Sequence, residues 1–441
     1  MSATLVVVLV VIGAYLAAHV AFEWLARRFM VVSGAEYLLL GILLGPSVTG
    51  LIRAEVVGGF APLMTLALGW IGAVIGAQFF LPALMRIPGV LFRIATVEAL
   101  LSLVLVSAAM GAVLLWVFPL TLPGVVLPAV ALGAIATASA PSGIAVVSQS
   151  LGRRGRIVQQ LEVATAVDAA VAVAAFGLLL SIIHSAPAVE PRAPTATEWA
   201  VISLGIGVVG GALFHLFLWQ ERQIDRLFIG LAGAIILASG AATYLNLSPL
   251  LPTMLVGAIL VNTSANREEI KEVLGRVERP LYFVLLIFAG AAWAPPAESG
   301  WILPVAAFLV VRMLVKLIAG WTAAATAGAL PALGPGWGRA LLGQGGLALA
   351  IALNYRLHTD AVLVNVVFTA GLLSVLLTDF FSARAAGAVL WPRLRRRRGT
   401  RRGGRSGTTG DLEDSVPDDE PGADSRGREQ AGVDSAPGRK G

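Results

Sequence analysis

Ionisable side chains set inside long apolar runs have few chemical roles open to them, and this chain has a short set of them. Glu98 lies in one run, Glu162 and Asp168 in a second ("QQLEVATAVDAAVAVAAFGLLLS"), and Arg312 and Lys316 in a third ("FLVVRMLVKLIAG"). On insertion scales a lone charge in an apolar bilayer centre costs at least about 2.5 to 3.5 kcal/mol, so such groups pair, or face protein or water. A carboxylate so placed can hold a proton or a cation that has shed its water, and an ammonium nearby can neutralise the carboxylate or compete for it. A second feature sits close by in sequence. The stretch "ATASAPSGIAVV" sets Thr137, Ser139 and Ser142 around Pro141 and Gly143, where proline removes a backbone donor and clashes with the preceding turn. Carbonyls freed by such a break, with the hydroxyls beside them, are oxygen ligands in search of a partner. Gly343, Gly345 and Gly346 around Gln344 make a second weak point. Gln344 can serve there as an ion ligand or as a hydrogen-bonding support for the broken backbone.

The elements that hold these residues are membrane helices. The chain has 441 residues, 57% hydrophobic and 13% charged, with a mean hydropathy of +0.83, far from the roughly 25% charged of soluble domains. Apolar segments near the roughly 20 residues that cross a bilayer as a helix recur as far as about residue 385. About thirteen spans are expected, at about 4–22, 35–52, 60–80, 91–117, 124–147, 157–184, 197–219, 226–245, 248–262, 279–293, 302–327, 337–355 and 361–384. The first has no basic residue before its apolar core, so it reads as a retained helix rather than a signal peptide. With an odd number of spans the N-terminus lies outside and the tail "RLRRRRGTRRGGR" inside. The loops then assigned to the cytoplasm hold Arg27, Arg28, Arg86, Arg93, Arg153, Arg154, Arg156, Arg222, Arg226, Arg267, Lys271, Arg276, Arg279 and Arg339, against Arg53, Arg192 and Arg356 outside. That asymmetry follows the positive-inside rule and places the protein in the cell membrane.

Depth brings the charges to one level. At about 1.5 Å per residue, Asp168 lies about 16 Å along the sixth span and Lys316 about 21 Å along the eleventh, which enters from the opposite side of a core about 30 Å thick. Glu162 precedes Asp168 by six residues, about 240° of helix rotation, so the two carboxylates do not share a face. Arg312, one turn from Lys316, can pair with Glu162 or Glu98. Glu36 and Asp379 read as helix-end groups, and His184 and His215 as residues near helix ends. Spans four to six and eleven to thirteen each place an interrupted helix between two intact ones and start from opposite sides. That arrangement is an inverted repeat.

Other chemistries find no support. There are no cysteines, and the four histidines lack ligand spacing, which argues against thiolate or histidine metal sites. Nothing resembles a phosphate-binding loop or a nucleophile elbow, so no cofactor and no enzyme activity are expected. The residues from about 391 to 441 are basic, then acidic, and almost without apolar content. They are expected to be disordered, and their arginines to contact anionic lipid rather than nucleic acid.

The stretch "ALGAIATASAPSGIAVVSQSLGRRGRIVQQLEVATAVDAAVAVAAFGLLLS", with "YLLLGILLGPSVTG", "RMLVKLIAG" and "LLGQGGLALAI" in register, resembles the monovalent cation:proton antiporter family. The resemblance is to its bacterial sodium/proton exchangers and Kef-type branch and covers most of residues 1–390. It implies a homodimer of thirteen-helix chains, with a dimerisation part in spans 1–3 and 8–10 and a mobile core at about 91–184 and 302–385. In that family two interrupted helices cross beside an ion-binding aspartate. Asp168 matches the aspartate, Thr137 and Ser139 match the crossing, and Lys316 matches the basic residue of the eleventh span. Val167 departs from the family, which has Asp, Asn or Gln before the aspartate. Lys316 is thereby without its usual partner, and is expected either to be neutral or to find another anion, Asp168 itself or Glu162. The expected function is exchange of a monovalent cation, sodium or potassium, for protons by alternating access, with an alkali cation at Asp168. Its rivals are a proton-coupled carrier of another solute on the same scaffold and a membrane sensor that does not transport.

Overall fold

The computed structural model describes residues 34–140, 156–183, 195–218, 223–329, 336–359 and 363–403, with Ile144, Glu221 and Gly334. The expected first span at 4–22, Pro141, Ser142, Gly143 and His184 lie outside the described residues. Among those described there is no strand, and the helices run α1 (Ala35–Leu44), α2 (Ala61–Ala77), α3 (Gly89–Val117), α4 (Leu122–Thr137), α5 (Arg156–Ile183), α6 (Ala196–Leu218), α7 (Ile224–Tyr244), α8 (Leu250–Thr263), α9 (Arg267–Ala291), α10 (Ile302–Thr326), α11 (Gly346–His358) and α12 (Val364–Gly403). Short helical pieces add Ala54–Gly59, Leu81–Leu84 and a 3-10 turn at Trp337–Leu341.

Five of these helices, α3, α5, α6, α7 and α10, are long and apolar enough to cross a membrane. Their outward faces are apolar, with Trp116, Leu216 and Phe217 at least 70% exposed, while Glu98, Asp168, Arg312 and Lys316 are buried. This inversion of the soluble pattern makes the chain a multi-pass membrane protein.

Helices approach one another through glycine. A Cβ built on Gly41 of α1 or Gly290 of α9 would lie about 2 Å from the other helix's backbone oxygen, and the same holds for Gly76 of α2 and Gly257 of α8. Small residues at such contacts let backbones touch where lipid gives no hydrophobic drive to pair. Around the charged residues, α3 packs against α4, α5 and α10, while α11 packs on α4 and the 3-10 turn on α10.

Several helix limits differ from those expected, for identifiable reasons. α9 begins at Arg267 rather than near 279. Its first half, "REEIKEVLGRVER", is too charged to register as a span, yet Ile270, Val273 and Leu274 are buried at the spacing of an amphipathic helix face. Glu268 and Glu269 occupy its first turn, where the helix dipole favours negative charge. At the other end of the chain α12 runs on through the arginine-rich segment to Gly403, so that part of the tail expected to be disordered from about 391 is helical. Arginine is a good helix former, and of the tail only 404–441 lie outside the described residues. Asp379 therefore falls within α12 rather than at a helix end. Glu36 is a helix-end group as expected, its Oε2 accepting the Gly34 N–H at 2.8 Å.

Candidate functional site

The two weak points of the sequence meet. α4 ends at Thr137 and the chain runs on without regular structure through Ala140, while the expected twelfth span divides into the 3-10 turn, an irregular stretch at 342–345, and α11. Each break supplies the other's missing hydrogen bonds. The Ala140 N–H donates to the Gly343 carbonyl at 2.9 Å, and the Ser139 hydroxyl donates to the Leu341 carbonyl at 3.0 Å. Gln344 Nε2 donates to the Ile135 carbonyl at 2.7 Å, and its Oε1 accepts from Ser374 of α12. Gln344 thus braces the broken backbone, the structural one of the two roles its sequence position allowed.

The glycines at the crossing are needed for space. A Cβ on Gly345 would stand 2.7 Å from that of Ala140, and one on Gly346 would stand 2.3 Å from the Tyr282 ring. Gly346 is the first residue of α11 rather than part of the interruption, and Gly343 lies against Ser382.

Two of the freed carbonyls are taken by cationic side chains from α10. Lys316 Nζ donates to the Thr137 carbonyl at 3.1 Å, and Arg312 Nη1 to the Leu342 carbonyl at 2.9 Å. The ammonium also lies 2.8 Å from Asp168 Oδ2 on α5 and 3.1 Å from Glu98 Oε1 on α3. Glu98, Asp168, Arg312 and Lys316 are each 0% exposed and are the only charged side chains buried among the described residues. Lys316 is thus held against both carboxylates, while Arg312 is held by a backbone carbonyl; buried charge is tolerable only where such partners replace water.

Lys316 therefore has Asp168 as one of its expected partners, but not Glu162. Glu162 is solvent-facing and lines a cavity of about 650 Å³ between α2, α5 and α9, together with Phe79, Gln159, Val167, Lys271 and Glu278. The residue that sequence reasoning left out of this contact is Glu98, which it set only against Arg312. Arg312 has no carboxylate within ion-pair distance among the described residues, and its Nε and Nη2 have no partner there. A depth count places Glu98 about 14 Å along α3, a third of the way through a 29-residue helix. Helix rotation, which decides whether it faces Lys316, is not fixed by depth.

The remaining polar groups are arranged tightly. Thr137 Oγ1 donates to the Gly133 carbonyl at 2.8 Å, so its hydroxyl proton is used within α4. Asp168 Oδ1 has no hydrogen-bond partner among the described residues. A buried carboxylate with one oxygen held by an ammonium and the other unpartnered, beside carbonyls at a helix break, is an oxygen-rich place for a small cation or a proton.

No family model matches the chain, and no curated protein matches it in sequence. Solved structures do match its shape. A structure titled as the sodium proton antiporter MjNhaP1 from Methanocaldococcus jannaschii at pH 8 superposes with a TM-score of 0.63 at 13% identity, over 87% of this chain and 100% of that one. An electron-microscopy structure of the same antiporter matches with a TM-score of 0.61 at 13% identity, over 88% and 99%. The all-helical fold built around the two crossing interruptions is the fold of the sodium proton antiporter MjNhaP1.

Proposed function

We propose that the protein is a secondary antiporter, not an enzyme, of the monovalent cation:proton antiporter family, and that it exchanges an alkali cation, sodium or potassium, for protons at Asp168. The observation that carries this reading is the buried Asp168 carboxylate. It is shared with Lys316 at 2.8 Å, keeps one unpartnered oxygen among the described residues, and sits at the crossing of two interrupted helices. The antiporter fold supports it.

The chemistry follows from competition. Lys316 occupies both Asp168 Oδ2 and the Thr137 carbonyl, two of the oxygens a dehydrated cation would take. An arriving cation displaces the ammonium from Asp168 and gains that carboxylate, the Thr137 carbonyl and the nearby Ser139 hydroxyl oxygen, with Ser142 as the further hydroxyl of the same stretch. A proton arriving instead neutralises Asp168 and displaces the ammonium equally. One carboxylate thus carries one proton or one cation, and exchange of one for the other is electroneutral. The cavity lined by Glu162 and Val167 is the candidate approach for the ion, Val167 being the chain neighbour of Asp168. The arginine distribution assigns this side to the cytoplasm, with the tail inside and the N-terminus outside.

In the same reading 91–184 and 302–385 form the mobile core of an alternating-access cycle, and spans 1–3 and 8–10 hold two copies together as a homodimer. The test is proton movement, read with a pH-sensitive dye in proteoliposomes after pulses of Na⁺, K⁺ or Li⁺. A cation-dependent signal that Asp168→Asn abolishes supports the reading. Silence with every cation, or a signal that survives Asp168→Asn, rejects it.

A further inference from the structure

We propose that Thr165 is an oxygen ligand of the transported cation, meeting it on its way in from the cavity and holding it together with Asp168. This rests on the antiport reading above and adds a protein ligand to the same site.

On α5 the cavity is lined by Gln159, Glu162, Val163, Thr165, Ala166 and Val167. Asp168 is not among them and is 0% exposed, so an ion in the cavity still has to pass round α5 to reach its carboxylate. At about 100° of rotation per residue, Gln159, Val163 and Ala166 stand about 140° or more from Asp168, Glu162 about 120° and Val167 about 100°. Thr165 stands about 60° away and one turn before it, the separation at which helix side chains are neighbours. It is therefore the cavity-lining residue of α5 nearest to Asp168 in rotation, and it carries an oxygen. Val167, the next nearest, brings none.

The state of that oxygen suits a cation. Thr165 Oγ1 donates to the Glu162 carbonyl at 2.9 Å, so its proton is committed within the helix and its lone pairs remain to accept. The residue is 3% exposed, which keeps bulk water from competing for them. Asp168 in turn leaves Oδ1 without a partner among the described residues, while Oδ2 is held by Lys316. One helix thus offers two uncommitted oxygens a turn apart, a neutral hydroxyl and a carboxylate. A cation that sheds its water needs protein oxygens in exchange, and Thr165 supplies one before Lys316 has to give way.

Proteoliposomes with a pH dye give the half-saturating concentration of whichever of Na⁺, K⁺ or Li⁺ couples to proton movement. Thr165→Val keeps the shape and removes the oxygen. It is expected to raise that concentration about tenfold, the worth of one contact to a charged group, and to recover the wild-type rate at saturating cation. Thr165→Ser keeps the oxygen and is expected to stay within about twofold of wild type. If Thr165→Val also stays within about twofold, or Thr165→Ser shifts as far as Thr165→Val, the oxygen is not a ligand and the proposal is overturned. Should Thr165→Val not transport, the cation dependence of its thermal unfolding in detergent decides. Stabilisation displaced to about tenfold higher cation supports the proposal, and an unmoved dependence overturns it. If wild type and Asp168→Asn are alike indifferent to all three cations in both measurements, the antiport reading fails and takes the proposal with it. A wild-type response that Thr165→Val shares removes the proposal alone.

Discussion

Two clusters of opposite charges in this chain have nearly the same contact distances and very different consequences. At the start of α9, Arg276 reaches Glu272 at 2.6 Å, with side chains 62% and 49% exposed, and Lys271 reaches Glu268 at 3.6 Å. At the crossing, Lys316 reaches Asp168 at 2.8 Å and Glu98 at 3.1 Å, and all three are fully buried. Water solvates the α9 pairs whether or not they touch, so each is worth about 0 to 1 kcal/mol. The buried cluster has replaced water by its own members, and loss of one leaves another exposed to an apolar interior. Distance alone does not distinguish an ornament of the surface from a working site; desolvation does. The α9 charges serve the cavity rim and the amphipathic face of a helix, whereas the crossing holds charge that a cation or proton can rearrange.

Substitutions can break or sharpen this contrast. Lys316→Met should have the largest effect. It leaves Asp168 and Glu98 facing each other without their cation and is expected to cost about 3 to 5 kcal/mol of stability, read as thermal unfolding in detergent. Gln344→Ala acts on the brace rather than the charge, leaving the Ile135 carbonyl and the Ser374 hydroxyl without their partner, and should cost about 1 to 3 kcal/mol by the same measurement. Arg276→Ala removes the shorter of the two α9 ion pairs named above and should cost no more than about 1 kcal/mol. If Arg276→Ala matched Lys316→Met, burial would not be what separates the two clusters.

Much of this arrangement is legible in the sequence. Apolar length marks the spans, Pro141 with its small neighbours marks the end of α4, and counting residues brings Asp168 and Lys316 to one depth. Gln344, an amide between glycines at a helix break, reads as an ion ligand or a support, and its contacts to Ile135 and Ser374 are those of a support. What escapes is set by rotation and by patterns that hydropathy averages away. Glu98 meets Lys316 because of the angle at which α3 packs on α10, which neither spacing nor depth contains. Glu162 lies on the same helix as Asp168 and turns instead to the cavity. The first half of α9 escapes because its buried stripe of Ile270, Val273 and Leu274 is diluted by the charges around it. The helical extension of α12 through its arginines escapes because composition there suggests disorder while helix propensity points the other way.

The central claim, that a single carboxylate trades a proton for a cation, can be tested without transport. Purified protein in unbuffered detergent solution with a pH dye, at a pH low enough for Asp168 to carry its proton, is titrated with Na⁺, K⁺ or Li⁺. Wild type should release protons in a saturable manner with at least one of these ions, approaching one per site, and Asp168→Asn should release none. Undiminished release from Asp168→Asn, or no release from wild type with any of the three, would contradict the account.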